Sequence, residues 1–290
     1  MSFVLSRIYI VWSVFCGVHL SDLSIRLFPH PTKKGLTPMR DYCLICFTEI
    51  IPQMGWNDLI AVVKKQTICP ACKAKLEEIK GETCSICDRP LEQLDARFIQ
   101  GDRCYDCVRW EEDSLWQGCL TKNHSLYLYN EFLQEVISRY KFRGDYILAN
   151  LFTERLLQKL TGETYDSLVP IPLSPERLQE RGFNQAEAII REASLNPANI
   201  LTRIHGEKQS KKSRNERIHA NQVFQLAEQP ILPEQTAKQT SHSLQPPSIK
   251  GQRIILIDDV YTTGSTLRHA AKVLTSFGAA SVTAITIARG

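Results

Sequence analysis

No stretch of this 290-residue sequence stays apolar for the ~20 residues that a membrane-crossing helix needs. The longest attempt, Ile8 to Leu20, is a run of 13 residues closed off by Arg7 and Asp22, so no stable membrane insertion is expected. No Ala-x-Ala cleavage site follows that run, which argues against a secretory leader. The bulky Phe15 ahead of Cys16 argues against lipid attachment there. No repeat recurs at a solenoid period, which excludes stacked-repeat architectures. A strong excess of one charge is missing too. Lys and Arg number 35 against 31 Asp and Glu, a net +4 that permits nucleic-acid contact without arguing for it.

What is present reads as a soluble globular protein, 43% hydrophobic and 23% charged, long enough for a main domain and a smaller one. The chain is organised around Ile254-Ile255-Leu256-Ile257-Asp258-Asp259-Val260-Tyr261-Thr262-Thr263-Gly264-Ser265-Thr266. Four apolar, mostly β-branched residues make a strand too short to be a helix. Two carboxylates stand at its end, and a hydroxyl-rich turn around one glycine opens a helix over Ser265 to Phe277. Strand, tight turn and helix point backbone N–H groups at an anion. The hydroxyls of Thr262, Thr263, Ser265 and Thr266 add donors for phosphate oxygens. Asp258 and Asp259 would repel phosphate, and suit sugar hydroxyls or a hydrated Mg²⁺ beside it. The motif predicts a ribose 5-phosphate site; its bland alternative is an acidic turn that merely caps a helix.

Ten cysteines are many, and eight fall in Cys-x-x-Cys pairs: Cys43/Cys46, Cys69/Cys72, Cys84/Cys87 and Cys104/Cys107. Such spacing fits metal thiolates in a reducing cytoplasm better than a secreted disulfide framework. Eight thiolates fill two Cys₄ tetrahedra with none left over, and four sulfurs leave no open position for water. The expectation is structural zinc with sequential pairing, Cys43, Cys46, Cys69, Cys72 at one ion and Cys84, Cys87, Cys104, Cys107 at the other. Spacing alone leaves open interleaved pairing, a single occupied site or an iron–sulfur cluster. Cys16 and Cys119 stand alone as small hydrophobes. The module is fairly basic, with Tyr105 and Trp110 available either to stack on bases or to fill a small core.

Leu133, Val136, Ile137 and Tyr140, then Ile147, Leu148, Leu151, Phe152, Leu156, Leu157 and Leu160, recur at helical spacing around a break at Gly144. Lys141 and Arg143 flank that break, where they either meet an anion or stay solvated. A short strand over Ser167 to Pro172 leads into a segment with Arg177, Arg181 and Gly182, where backbone and guanidinium could approach a diphosphate together. Arg203 to Phe224 is basic and polar, with Lys211, Lys212, Arg214 and Arg217, and suits either a flap that orders over a polyanion or a disordered loop. Gln225 to Ser248 reads as loop. Alternating helices and buried strands predict an α/β fold with a parallel sheet, helices on both faces, and ligands at the carboxyl ends of the strands.

Tyr140-Lys141-Phe142-Arg143-Gly144-Asp145, Val169-Pro170-Ile171-Pro172-Leu173, Arg181-Gly182-Phe183-Asn184-Gln185, Gln209, Arg214, Arg217, Asn221 and Phe224 follow the cysteine pairs and precede the acidic strand end. In that order they resemble the ComF (ComFC) competence family, over about residues 40–290. The resemblance implies a zinc module ahead of a type I phosphoribosyltransferase-like domain. It implies binding of phosphoribosyl pyrophosphate with Mg²⁺, and help with single-stranded DNA uptake beside a competence helicase-like protein. By the same resemblance Asp258 and Asp259 are the ribose-binding and catalytic acids, Thr262, Thr263, Gly264, Ser265 and Thr266 the 5-phosphate cradle, and Arg181 and Gly182 the pyrophosphate segment. Lys211, Lys212, Arg214 and Arg217 fall in the flexible hood, in contact with pyrophosphate or DNA. An active transferase of the nucleobase-salvage type and a zinc-dependent adaptor for the translocation helicase are the alternatives, and no side chain is needed as a nucleophile that would decide between them. The expected division is an extension over 1–38, a zinc module over 39–124 and the phosphoribosyltransferase-like domain over 125–290, with translation expected from Met39. The expected location is cytoplasmic, with peripheral attachment to the inner face of the membrane left open.

Overall fold

The computed structural model describes residues 41–51, 66–204, 223–227 and 248–290. The expectations for the N-terminal extension and for Lys211, Lys212, Arg214 and Arg217 lie outside the described residues. Two short strands, β1 (Asp41–Tyr42) and β2 (Glu49–Ile50), pair antiparallel around the first cysteine knuckle. A four-residue helix α1 (Pro70–Lys73) carries Cys72. The hairpin β3 (Ile99–Gln100) and β4 (Arg103–Cys104) leads into α2 (Tyr105–Glu112).

The main sheet has four parallel strands in the order β5-β10-β9-β6. They are β5 (Lys122–Leu128), β6 (Ser167–Pro170), β9 (Arg253–Tyr261) and β10 (Ser281–Arg289). Between β5 and β6 come α3 (Glu131–Phe142), a 3₁₀ turn over Tyr146–Ala149 and α4 (Asn150–Leu160). After β6 come α5 (Pro175–Arg181) and α6 (Gln185–Glu192). The short strands β7 (Leu201–Arg203) and β8 (Phe224–Leu226) form a separate antiparallel ribbon, and α7 (Ser265–Ser276) joins β9 to β10.

Strand alternation sorts the sheet into two faces. Ile255, Ile257, Ile285 and Ile287 pack with α3, α4 and α6, where Leu133, Val136, Ile137 and Tyr140 are all but fully buried. Each such side chain contributes ~1.5–3 kcal/mol relative to exposure. Ile254, Leu256, Val282 and Ala284 face the other way, onto α7, the ribbon and the second cysteine group. Helices therefore cover both faces, as the sequence predicts.

Three details differ from the sequence reading. Ile147 and Leu157 share the helical spacing but are exposed, because the 3₁₀ turn shifts the phase between α3 and α4. The segment with Arg177, Arg181 and Gly182, for which the sequence reading gave no element, is helical, since Ser174 caps α5 with its side chain and Pro175 fills the first helical position. Strand β5 runs straight across residue 124, so the sheet begins within what the sequence assigns to the zinc module.

Candidate functional site

Central strand β9 carries Asp258 and Asp259 to the carboxyl edge of the sheet on opposite faces. Asp259 looks toward α3, where Lys141 Nζ meets its Oδ2 at 2.7 Å, both side chains 17% exposed. Lys141 therefore meets a carboxylate of the site itself. Asp258 lies on the face of the ribbon. Burial, then the neighbouring Asp259 charge, push its carboxyl up to about 7, against the pull of Lys141 and Arg203. The backbone N–H of Asp259 donates to Asp258 Oδ1 at 2.9 Å.

Around this pair stand guanidinium groups from two other elements. Arg181, the last residue of α5, donates from Nη1 to Gln185 Oε1 at 2.9 Å and lies 5.6 Å from the centre of the Phe142 ring. Burial lowers its pKa while Asp259 holds it up. Arg203, at the end of β7, is lowered by burial and by Arg177 and held up by Asp258. Gly182 ends α5 in the left-handed region at φ 78°. A surface cleft of about 530 Å³ between α3 and Arg181 is walled by Tyr129, Glu131, Glu135, Lys141 and Phe142; neither aspartate lines it.

Beyond β9 the chain turns through Thr262, Thr263 and Gly264 into α7. Gly264 has φ 77°, and a Cβ there would overlap Tyr261 Oη and Arg268 Nη1, so this position accepts only glycine. With glycine as the N-cap, the cap residue offers no side chain to the first helical N–H groups, and Thr262 and Thr266 beside them are exposed. Thr263 Oγ1 accepts from Ser265 N at 3.4 Å. The acidic pair, the hydroxyl turn and Arg181 thus converge at one edge. The basic segment expected to cover them leaves from the ribbon beside it, where Arg203 pairs with Phe224.

The cysteines gather into two groups with the sequential membership expected, Cys43, Cys46, Cys69, Cys72 and Cys84, Cys87, Cys104, Cys107, each with its sulfurs all within 4.8 Å of one another. A Zn–S distance of about 2.3 Å implies tetrahedral S···S edges of about 3.8 Å. The sulfurs of Cys46 and Cys69 are 3.7 Å apart and those of Cys87 and Cys104 3.6 Å. Cys72 N donates to Cys69 Sγ at 3.4 Å and Cys104 N to Cys84 Sγ at 3.3 Å, the backbone-to-sulfur bonds that suit metal-bound thiolates. Both donor sets fit structural zinc. Trp110 is 4% exposed and donates from Nε1 to Thr263 O at 2.9 Å, so it fills the core and does not stack on bases; Tyr105 remains exposed.

A profile of the phosphoribosyl transferase domain matches residues 180–290. The chain is 36% identical over 254 residues to the competence protein ComFC of Bacillus subtilis (strain 168), covering 85% of this chain and 94% of that one. This chain belongs to the ComFC family of competence proteins. A ComFC of Streptococcus pneumoniae (strain ATCC BAA-255 / R6) is 27% identical over 85% of this chain and 99% of its own. Among solved structures, a hypoxanthine phosphoribosyltransferase from Staphylococcus aureus shares 15% identity over 48% of this chain and 61% of its own at a TM-score of 0.27, too slight a likeness to add to the family match.

Within the ComFC family reading, the motif residues Asp258 to Thr266, Arg181 and Gly182 meet in space. Lys141 and Arg203, whose roles pattern alone left open, act on the two aspartates. Lys141 directly follows Tyr140 in the last turn of α3, beside the helix break where the sequence left it either to meet an anion or to stay solvated. Among the described residues no helix is long and apolar enough to cross a membrane.

Proposed function

We propose that this ComFC-family protein binds phosphoribosyl pyrophosphate or a related phosphoribosyl ligand at the β9–α7 turn, and that it assists the handling of incoming single-stranded DNA in natural transformation. The observation that carries the reading is Gly264. Its left-handed turn, closed to any side chain, brings a helix N-terminus with no side chain at its cap residue beside two carboxylates at the edge of a parallel sheet.

In this reading the turn residues Thr262 to Thr266 hold the 5-phosphate, and Asp258 and Asp259 hold the ribose hydroxyls or the Mg²⁺ that accompanies the pyrophosphate. Lys141 pairs with Asp259 and would be free to meet the ligand's phosphates if that carboxylate took a cation instead. Arg181 and Gly182 stand where the pyrophosphate would lie. Mg²⁺ would supply charge neutralisation of the pyrophosphate. Lys211, Lys212, Arg214 and Arg217 would follow a DNA backbone or close over the ligand.

Calorimetry with phosphoribosyl pyrophosphate and Mg²⁺ tests the reading. Binding is expected for the native chain and a loss of more than about 100-fold for Gly264→Ala; a native chain that binds no such ligand sinks it. Pyrophosphate release in the presence of nucleobases decides whether binding leads on to transfer. Oligonucleotide affinity should fall steeply with salt, and less steeply after Lys211, Lys212 and Arg214 are changed to Ala.

A further inference from the structure

The second cysteine group and the β9–α7 turn are joined by three side chains that ligand binding by the turn does not itself require. Arg268 of α7 is fully buried. Its Nη1 donates to Tyr261 Oη at 2.7 Å, and its Nη2 lies 4.0 Å from both Cys107 Sγ and Glu111 Oε1. Arg289, the last residue of β10, is 3% exposed. Its Nη2 donates to Cys87 Sγ at 3.4 Å, while Nη1 donates to Tyr261 O at 3.1 Å and Thr262 O at 3.3 Å. Trp110 adds the bond to Thr263 O.

Two physical consequences follow. A guanidinium does not shed its proton in a protein, so a buried one needs countercharge. Four thiolates around one Zn²⁺ carry a net charge of −2, and each of these two arginines reaches one of those sulfurs. Furthermore, three successive carbonyls, of Tyr261, Thr262 and Thr263, are all held from the arginine and tryptophan side. In a planar trans peptide the N–H points opposite to the carbonyl. The N–H groups of Thr262, Thr263 and Gly264 are thereby turned away from those tethers.

We propose that Arg268 and Arg289 are positioning residues that make the metal-loaded second tetrad the counter-ion of the β9–α7 turn, so that metal retention there and ligand binding at the turn are linked. The link to ligand rests on the proposed function; the effect on metal retention does not. Linkage is reciprocal, so a ligand favoured by the ordered turn also favours the metal-loaded tetrad.

The test is zinc release from the full-length zinc-loaded chain to a colorimetric chelator, with the two phases assigned through Cys46→Ser, which removes the first tetrad. Arg268→Met and Arg289→Met are each expected to speed release from the second tetrad by about 10–100-fold while leaving the first unchanged. No change, or equal acceleration at both tetrads, overturns the proposal. If the Met variants do not fold, Arg289→Lys carries the test. It keeps the cation but loses the fork that spans sulfur and carbonyl, so a several-fold faster second phase is expected and an unchanged one overturns the idea. Phosphoribosyl pyrophosphate with Mg²⁺ should slow the second phase in the native chain and not in Arg289→Lys; bound ligand with no slowing overturns the linkage. A native chain that fails to bind the ligand would count against the proposed function alone, since the ligand-free release rates still decide the bridge.

Discussion

The two cysteine tetrads use the same turn and are embedded to different depths. In each, the residue after the second cysteine takes a left-handed conformation, Phe47 at φ 59° and Asp88 at φ 56°. Its N–H returns to the first cysteine's carbonyl, Phe47 to Cys43 at 2.9 Å and Asp88 to Cys84 at 3.1 Å. Beyond that the resemblance ends. Cys46 of the first tetrad is exposed, and the buried cluster around it adds only Ile50 to three cysteines. All four cysteines of the second tetrad are buried in the same core as Val169, Leu256, Tyr261 and Leu274. Its knuckle is sewn to the sheet edge, with Asn123 N donating to Ile86 O at 2.7 Å and Ser125 N to Asp88 Oδ2 at 3.1 Å. One donor set thus does two jobs: the first tetrad gathers its own surface loops, and the second is part of the core of the phosphoribosyltransferase-like half.

The sharpest way to break this contrast is to remove one ligand from each group. Structural zinc is worth ~10–16 kcal/mol of apparent binding free energy, comparable to the whole ~5–15 kcal/mol stability of a domain. For Cys107→Ser the expected outcome is loss of cooperative thermal unfolding for the entire unit and loss of ligand binding. Cys46→Ser should lose one zinc equivalent and keep a cooperative transition and ligand affinity. Zinc content measured alongside calorimetric unfolding checks this; equal damage from the two substitutions would mean that depth of embedding does not matter.

Much of this arrangement could be read from the residues. Paired cysteines pointed to metal thiolates, while spacing alone left interleaved pairing open; the sequential grouping is a finding of the structure. The β-branched run and the glycine turn located β9, α7 and the site edge, because buried strands and positive-φ turns leave local signatures. The bridge could not be read that way. Arg268 is one of two cations, with Lys272, in a helix whose Leu267, Ala270, Ala271 and Leu274 mark it as amphipathic, and Arg289 is a strand-end residue. Their partners, Cys107 and Cys87, lie 161 and 202 residues away. No periodicity reports a contact of that range. Strand β5 was hidden for a related reason: its burial comes from pairing with β10, at the far end of the chain.

The next contrast is between the two aspartates, one on each face of β9. Asp259 faces α3 and has Lys141 as its partner. Asp258, on the face of the second tetrad, is pushed up to about 7 by burial and by Asp259. Its folded-state pKa is therefore above the ordinary carboxyl range. The stability this contributes is fully present below about pH 4 and is lost as pH rises through about 7. Ligand binding should run the opposite way, because a proton on Asp258 competes with Mg²⁺ or a sugar hydroxyl for the carboxylate. The ionised fraction of a group titrating near 7 rises about tenfold between pH 6 and 8, and affinity for phosphoribosyl pyrophosphate with Mg²⁺ should rise by about that factor. Asp258→Asn should be weaker and flat with pH. A native affinity that does not change over this range would remove Asp258 from the site.

The smallest effect concerns how the first tetrad is attached. Arg139 of α3, 12% exposed, donates from Nη1 to Ile45 O at 2.8 Å and from Nη2 to Leu44 O at 3.3 Å, while its Nε reaches Asp145 Oδ2 at 3.3 Å. These bonds hold the knuckle carbonyls of the first tetrad just as Arg289 holds those of the β9–α7 turn, but at a half-buried edge where water can replace a lost donor. Hydrogen bonds to a charged group contribute ~1.5–3 kcal/mol each when well buried, and partial exposure brings the expected cost of Arg139→Met to about 2 kcal/mol, or a few degrees in Tm. Zinc should leave the first tetrad several-fold faster, with release from the second unaltered and ligand affinity kept, because α3 retains its buried stripe and Lys141. If Arg139→Met instead loosened the second tetrad, the two metals would share one cooperative network, and the difference in depth would not separate their roles.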